Sequence, residues 1–206
     1  MSRRDRAQRR EARRQAKHRR GGFVGISIAL VVVLLGAGLI YARITGRRSE
    51  RFVVDVGDHA PDFSLVDANR GETLSLEQLR GRSRVLLFFF EGIMCQPCWD
   101  QLRDFERVDE EFRKLGIEVV GVTVDPLRPL AAKTRQEGLG LPVLFDGGAR
   151  VSRQYDTLAF GSMHPGQRPG HTFILVGREG TVLWRQDFRE MYVPVHVVLQ
   201  DLRSVN

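Results

Sequence analysis

The apolar positions beyond residue 52 include short runs that predict buried strands. Residues 85–90 (VLLFFF) form a continuous apolar run of the length of one strand. Residues 117–124 (IEVVGVTV) form a second run with a single charged position. A strand that is apolar throughout has both faces covered, as in a parallel sheet between layers of helices. The two runs therefore predict the centre of a sheet.

Turn signals mark further strands on either side of this centre. Residues 63–66 precede a turn around residues 69–71 and predict a strand. Residues 172–176 and 181–185 flank the sequence Gly-Arg-Glu-Gly and predict an antiparallel hairpin.

Apolar residues at steps of three and four predict helices between the strands. Residues 151–155 and 195–202 show short patterns of this kind. A longer pattern follows the first buried run and comprises Trp99, Leu102, Phe105, Val108, Phe112 and Leu115. Strands that alternate with helices predict an α/β fold, and the hairpin adds antiparallel strands that make its sheet mixed.

The longest apolar run lies near the N-terminus, at residues 23–41. It carries no charge, and as a helix it would span about 28 Å, close to the ~30 Å hydrocarbon core of a bilayer. We expect a single transmembrane helix there, between a basic arm at residues 1–22 and a polar tether at residues 42–51. Residues 52–206 are long enough to form one well-filled domain beyond it.

The distribution of charge predicts how this helix is oriented. The chain has a net charge of +7, and its basic residues concentrate in the N-terminal arm, with a smaller group just after the apolar run. The larger cluster stays in the cytoplasm, so we expect the domain to lie outside it, anchored to the cell membrane. A cleaved signal peptide is the alternative. The domain is acidic overall, which argues against nucleic-acid binding, although the arm alone could bind nucleic acid or anionic lipid.

The two cysteines of the chain, Cys95 and Cys98, are spaced C-x-x-C between the first buried run and the long helical pattern. Amide groups at a helix N-terminus stabilise an anion, so a thiolate at Cys95 is favoured. Cys98 lies one turn further along on the same face and is expected to be more shielded. Pro97 fits the first helical turn. These features predict a redox dithiol with Cys95 nearest to solvent.

Two other roles for the cysteine pair remain as alternatives. A zinc half-site would need two more ligands, and the sequence has no second C-x-x-C or H-x-x-x-H. A purely structural disulfide would close a very short loop, which constrains the unfolded chain least among disulfides.

Residues 56–190 resemble the thioredoxin-like redoxin group, which contains membrane-anchored thiol-disulfide oxidoreductases and the AhpC/TSA peroxiredoxins. The matching segments besides the cysteine motif are GDHAPDFSL at 57–65, LSL at 74–76, LRG at 79–81, VLLFFF at 85–90, GVTVD at 121–125, LPVLFD at 141–146 and TFILV at 172–176. The resemblance implies a thioredoxin-like fold, a central mixed sheet flanked by helices. It also implies an oxidoreductase that needs no cofactor or metal and acts on protein thiols and disulfides, or on peroxide, with a separate electron donor.

Other positions of the motif region suggest accessory residues. Glu91, four residues before Cys95, is expected either to move protons for the dithiol or to lie solvated at a strand end. The family usually has a cis-proline three residues before Phe173, and this chain has Gly170 there, with Pro169 one position earlier.

The peroxiredoxin branch of the family gives the same cysteines different roles. That branch carries Thr-x-x-Cys with the peroxide-reactive sulfur at the second position, so Cys98 would react with peroxide and Cys95 would replace the threonine. It also uses an arginine near the late strand, which corresponds to the strand predicted at residues 172–176. Arg168 lies two positions before the place of that arginine. Peroxide reduction is therefore the first alternative to disulfide exchange.

Copper handling is the second alternative. Relatives of this fold bind copper through two cysteines and a histidine on a loop late in the domain, which corresponds to residues 161–171 here and is called the late loop below. This loop contains Met163, His164 and His171. Sulfur and imidazole suit Cu(I). We expect His171 to lie near the cysteine sulfurs without binding metal.

Overall fold

The structure is a computed structural model that describes residues 54–159 and 161–205. The basic arm, the transmembrane helix and the tether predicted for residues 1–51 lie outside the described residues. No helix in the described part is both long enough and apolar enough to cross a bilayer.

Seven strands form one mixed sheet, as the resemblance implies. Along the sheet they are ordered β2-β1-β5-β4-β3-β6-β7. Their bounds are β1 Ser64–Asp67, β2 Thr73–Ser75, β3 Arg84–Phe89, β4 Ile117–Thr123, β5 Val143–Phe145, β6 His171–Val176 and β7 Val182–Phe188. The strands predicted from the buried runs and turns are confirmed within a few residues, as is the hairpin, since β6 and β7 pair antiparallel.

Strand β3 lies at the centre of the sheet because both of its edges are paired. It runs parallel to β4 and antiparallel to β6. All of its residues after Arg84 are buried. Alternate side chains point to opposite faces, so the strand contributes to two apolar layers. Leu86 and Phe88 belong to the layer that contains both cysteines, and Leu87 and Phe89 belong to the other.

Helices cover the sheet, and the long predicted helix is divided in two. The helices are α1 Leu76–Leu79, α2 Gln96–Arg107, α3 Asp109–Lys114, α4 Leu127–Glu137, α5 Arg150–Gln154 and α6 Val195–Ser204. Val108 leaves the helical conformation (φ −112°, ψ 19°) between α2 and α3. The acidic run that follows it, Asp109 to Glu111, is suited to a helix N-terminus, where carboxylates interact favourably with the helix dipole.

Helix α2 begins at the carboxyl end of β3 and packs its apolar side into the first layer. Its residues Trp99, Leu102 and Phe105 are fully or almost fully buried there. The ring of Phe105 meets the rings of Phe88 and Phe173 edge to face. The strand, the turn after it and the start of α2 therefore have one fixed arrangement, which positions the cysteines.

Truncation of a central side chain should show how much β3 contributes to stability. Leu87→Ala removes a side chain with no solvent exposure. We expect it to lower the free energy of unfolding by about 2–5 kcal/mol, through lost apolar burial and the cavity it leaves. Chemical denaturation measures this, and Val56→Ala, at a solvent-exposed site, should change it by less than about 0.5 kcal/mol. A small loss for Leu87→Ala would contradict the fully packed interior.

Candidate active site

The two cysteines form a disulfide in the first turn of α2. Cys95 is the N-cap residue, and its Sγ accepts a hydrogen bond from the Cys98 backbone N–H at 3.3 Å. Pro97 lies between them in the first turn and has no N–H to donate. The Cα atoms of the pair are 5.3 Å apart. The predicted placement of the motif at a helix N-terminus is confirmed.

Both sulfurs are more enclosed than the sequence suggested. Cys98 is fully buried, as expected, but Cys95 is only 2% exposed. The expectation that Cys95 lies near solvent is therefore wrong for the disulfide form, because its sulfur is bonded inward to Cys98. Met94, one residue earlier, is 86% exposed instead. An apolar side chain thus stands in solvent directly beside the disulfide.

His171 is the histidine that the fold brings to the cysteines. It begins β6, and its Nδ1 lies 4.0 Å from the Cys98 Sγ, so the predicted proximity is confirmed. The imidazole is 1% exposed and meets the rings of Phe88 and Phe173 at centroid distances of 4.7 and 5.1 Å. Burial lowers the pKa of His171 to about 3, so the ring is neutral beside the disulfide at neutral pH. Its buried Nε2 has no hydrogen-bond partner among the described residues.

Glu91 is a buried carboxylate that fastens the late loop to the end of β3. Its Oε1 accepts a hydrogen bond from Ser162 Oγ at 3.1 Å and lies 2.8 Å from Nδ1 of His164. The side chain is 4% exposed, so the solvated alternative is wrong. Its Oε2 is buried without a hydrogen-bond partner in the part of the chain that the structure describes. His164, predicted only as a copper-ligand candidate, thus contacts Glu91.

Arg168 forms a second link between the loop and the site. Its guanidinium donates to the Glu91 backbone oxygen at 2.7 Å and to Asp125 Oδ1 at 3.0 Å from both terminal nitrogens. The other oxygen of Asp125 accepts the Ile93 N–H at 2.6 Å. The arginine is therefore held by backbone and carboxylate at the turn before the cysteines.

Asp125 and Gly92 are site residues that the sequence analysis missed as such. Asp125 follows β4, which is parallel to β3, and the carboxyl ends of parallel strands meet at one sheet edge. The position of Asp125 just after a buried strand was the signal from which it could have been predicted as a site residue. Gly92 has φ +120° in the turn, and its backbone oxygen accepts hydrogen bonds from Trp99 Nε1 and the Cys95 N–H. A Cβ on Gly92 would lie 1.8 Å from Asp125 Oδ2.

The cis-proline that the family usually has before the late strand is replaced here by Gly170, which precedes β6. The described residues contain no cis peptide bond. Across residues 54–159 and 161–205 no group of three or more His, Cys, Asp or Glu side chains is arranged to hold a metal ion.

A mixed sheet with a cysteine pair at the start of the helix after its central strand defines a thiol redox domain. Residues 56–185 match the model of the AhpC/TSA family, and the chain belongs to that family. The thiol-disulfide oxidoreductase ResA of Halalkalibacterium halodurans is 25% identical over 154 residues, which cover 74% of this chain and 80% of that protein. A putative peroxiredoxin of Mycobacterium tuberculosis is 38% identical over 95 residues, 46% of this chain and 59% of the relative.

Solved structures show the same fold. The peroxidoxin BcpB from Mycobacterium tuberculosis superimposes with a TM-score of 0.65 at 24% identity, over 74% of this chain and 99% of that one. A putative protein disulfide isomerase from Bacteroides thetaiotaomicron gives 0.58 at 21% identity, over 74% and 91%. The thioredoxin-like fold is therefore confirmed, and the family confirms an oxidoreductase of the redoxin class.

The turn at Gly92 should tolerate no side chain. Gly92→Ala combines a left-handed φ with a clash against Asp125, so we expect a loss of more than about 2 kcal/mol in stability. Gly71→Ala is the matched control, because Gly71 has φ +76° with nothing near its Cβ position; it should cost about 1–2 kcal/mol. Thermal or chemical unfolding of both variants measures the difference. Equal losses would mean that the contact with Asp125 does not restrict this turn.

Proposed function

We propose that the chain catalyses thiol-disulfide exchange through Cys95 and Cys98. The observation that carries the proposal is the disulfide itself, closed within the first turn of α2 with the Cys95 sulfur on the Cys98 N–H. A pair separated by two residues at a helix N-terminus can open and close with little movement of the backbone. The ResA relatives, named as thiol-disulfide oxidoreductases, support this assignment.

In the reduced protein Cys95 acts as the nucleophile. The helix dipole and the Cys98 N–H stabilise its thiolate. The thiolate attacks one sulfur of a substrate disulfide, and the other substrate sulfur leaves as a thiolate that takes up a proton. Cys98 then attacks the Cys95 sulfur of the mixed disulfide and expels the second substrate thiol. Two electrons pass from the dithiol to the substrate, and an electron donor with a thiol group restores the dithiol by the reverse exchange.

Peroxide reduction is the second candidate, and the similarity to peroxiredoxins favours it. In that reaction the Cys98 thiolate would attack the O–O bond and become a sulfenic acid, and Cys95 would condense with it to release water. Both cysteines are buried in the disulfide form, so burial does not separate the two reactions. The Arg168 guanidinium is already bound to Asp125 and to the Glu91 backbone oxygen, which favours exchange through Cys95 over attack on peroxide by Cys98.

Copper handling, the third candidate, draws only on the position of His171 near Cys98. A Cu(I) ion would take both sulfurs and the Nδ1 of His171. That nitrogen is 4.0 Å from one sulfur in the disulfide form.

We also propose that the domain is anchored to the membrane and faces the outside of the cytoplasm. The uncharged run at residues 23–41 and the basic arm before it support this topology. An exported location would also give the disulfide form a compartment in which it persists.

The roles of the two cysteines can be separated by trapping. Cys98→Ser should accumulate a mixed disulfide at Cys95 with a protein disulfide such as insulin, because no second thiol resolves it. Mass spectrometry of the reaction detects the adduct, and Cys95→Ser is the matched control that should form none. In parallel the reduced wild type and the reduced Cys95→Ser variant are mixed with hydrogen peroxide, and the order in which the two wild-type cysteines are alkylated is determined. Rapid peroxide consumption by Cys95→Ser, together with alkylation of Cys98 before Cys95, would replace this proposal by peroxide reduction.

The topology is tested by fusing reporters after Asn206. An alkaline phosphatase fusion, which folds only outside the cytoplasm, should be active, and a fusion to a reporter that works only in the cytoplasm should be inactive. The reverse pattern would overturn the proposed location. Immunoblotting of the membrane fraction tests retention, since a cleaved signal peptide would release a shorter product.

A further inference from the structure

One titratable side chain, His171, lies beside the Cys98 sulfur, and no hydrogen bond to another part of the described fold explains why a histidine is there. The Nδ1 of His171 faces the Cys98 sulfur, and its Nε2 is buried without a partner among the described residues. Its ring neighbours are Phe88 and Phe173, and burial alone accounts for the lowered pKa, with no charged group contributing. A buried polar ring with one nitrogen toward a reactive sulfur and no structural hydrogen bond costs stability. A phenyl ring would suit this apolar pocket better.

We propose that His171 is a catalytic residue, the general base that removes the thiol proton of Cys98 when Cys98 resolves the mixed disulfide at Cys95. This inference rests on the proposed exchange reaction and assigns its second step. In this role the neutral imidazole carries its proton on Nε2, so that Nδ1 holds the lone pair that accepts the thiol proton. Within the described part of the chain, His171 is the titratable side chain within hydrogen-bond reach of the Cys98 sulfur, apart from Cys95 itself.

The need for a base follows from the position of Cys98. Only the thiolate attacks a disulfide, and Cys98 is fully buried, so bulk water does not reach its proton. The Cys98 N–H does not serve its own sulfur, because it donates to the sulfur and the backbone oxygen of Cys95. The Glu91 carboxylate is directed at the late loop, where its Oε1 contacts Ser162 and His164, and no hydrogen bond joins it to the Cys98 sulfur in the part of the chain that the structure describes. The His171 imidazole does lie within hydrogen-bond reach of that sulfur.

The step balances in atoms, electrons and protons. The Cys98 S–H bond breaks as the proton moves to Nδ1, and the Cys98 sulfur forms a bond to the Cys95 sulfur. The bond between Cys95 and the substrate sulfur breaks, and the substrate sulfur leaves with the electron pair as a thiolate. The departing thiolate then takes the proton from the imidazolium. The products are the Cys95–Cys98 disulfide, a substrate thiol and neutral His171.

The environment makes this proton transfer transient. While Cys98 is a thiolate, an adjacent imidazolium has an opposite charge to stabilise it. Once the disulfide has formed, that charge is gone and burial alone acts on the ring, whose pKa is then about 3. The imidazolium therefore gives up its proton when the reaction is complete, which leaves the base ready for the next cycle.

The experiment is a single-turnover reaction of the reduced full chain with oxidised glutathione, quenched with acid and resolved by mass spectrometry. The first step gives the glutathione adduct at Cys95, and the second gives the closed disulfide. His171→Phe should form the adduct at the wild-type rate and resolve it about 100-fold more slowly at neutral pH, a typical contribution of a positioned base. Its resolution rate should rise about tenfold per pH unit below the thiol pKa, as the thiolate fraction does, whereas the wild-type rate stays nearly flat.

Controls separate this proposal from the reaction it rests on. His196→Phe makes the same change at an exposed position of α6 and should resolve the adduct like the wild type. His171→Gln keeps a polar side chain that cannot take the proton and should behave like His171→Phe. Circular dichroism checks that each variant folds, and His171→Gln replaces His171→Phe in the test if the phenylalanine variant does not fold. Equal resolution rates and pH profiles in wild type and folded His171 variants would overturn the role of His171. Failure of the reduced wild type to give either the adduct or the closed disulfide would instead overturn the exchange reaction.

Discussion

A run of apolar side chains can pass through the middle of this domain only because the backbone of β3 is hydrogen-bonded along both edges. Buried N–H and C=O groups without partners would cost more than the apolar side chains contribute. Pairing with β4 on one side and β6 on the other satisfies them and fixes where β3 ends. The turn at Gly92 and the start of α2 follow from that end point, so the positions of both sulfurs depend on the strand behind them.

The parts of this arrangement that could be predicted from sequence are those encoded locally. Continuous apolar runs identify β3 and β4 because both faces of these strands are buried, and the cysteine spacing places both sulfurs in one helical turn. Periodicity did not reveal the short elements β2, β5 and α1, since three or four residues carry too little pattern. The break at Val108 was also missed, because the apolar spacing continues across it while the backbone does not.

The surroundings of the disulfide could be predicted only in part, because they are assembled from distant segments. His171 was expected near the cysteines on the resemblance, which places the start of the late strand opposite them. The contacts of Glu91 with Ser162 and His164 span more than seventy residues and have no counterpart in local pattern. The pairing of Arg168 with Asp125 spans 43 residues and likewise has no counterpart in local pattern. Burial of Cys95 could not be foreseen either, since it depends on the direction of the sulfur in the closed disulfide.

The alternation of side chains along β3 has a consequence for how this domain can diverge or be engineered. Both cysteines, Trp99 and the rings that hold His171 lie in one apolar layer, whereas Leu87 and Phe89 pack with Tyr155 in the layer on the opposite face. Substitutions on that opposite face do not touch the sulfurs, and energetic effects of separated sites are nearly additive. Substitutions in the opposite layer can therefore change thermal tolerance while the residues around the sulfurs stay as they are.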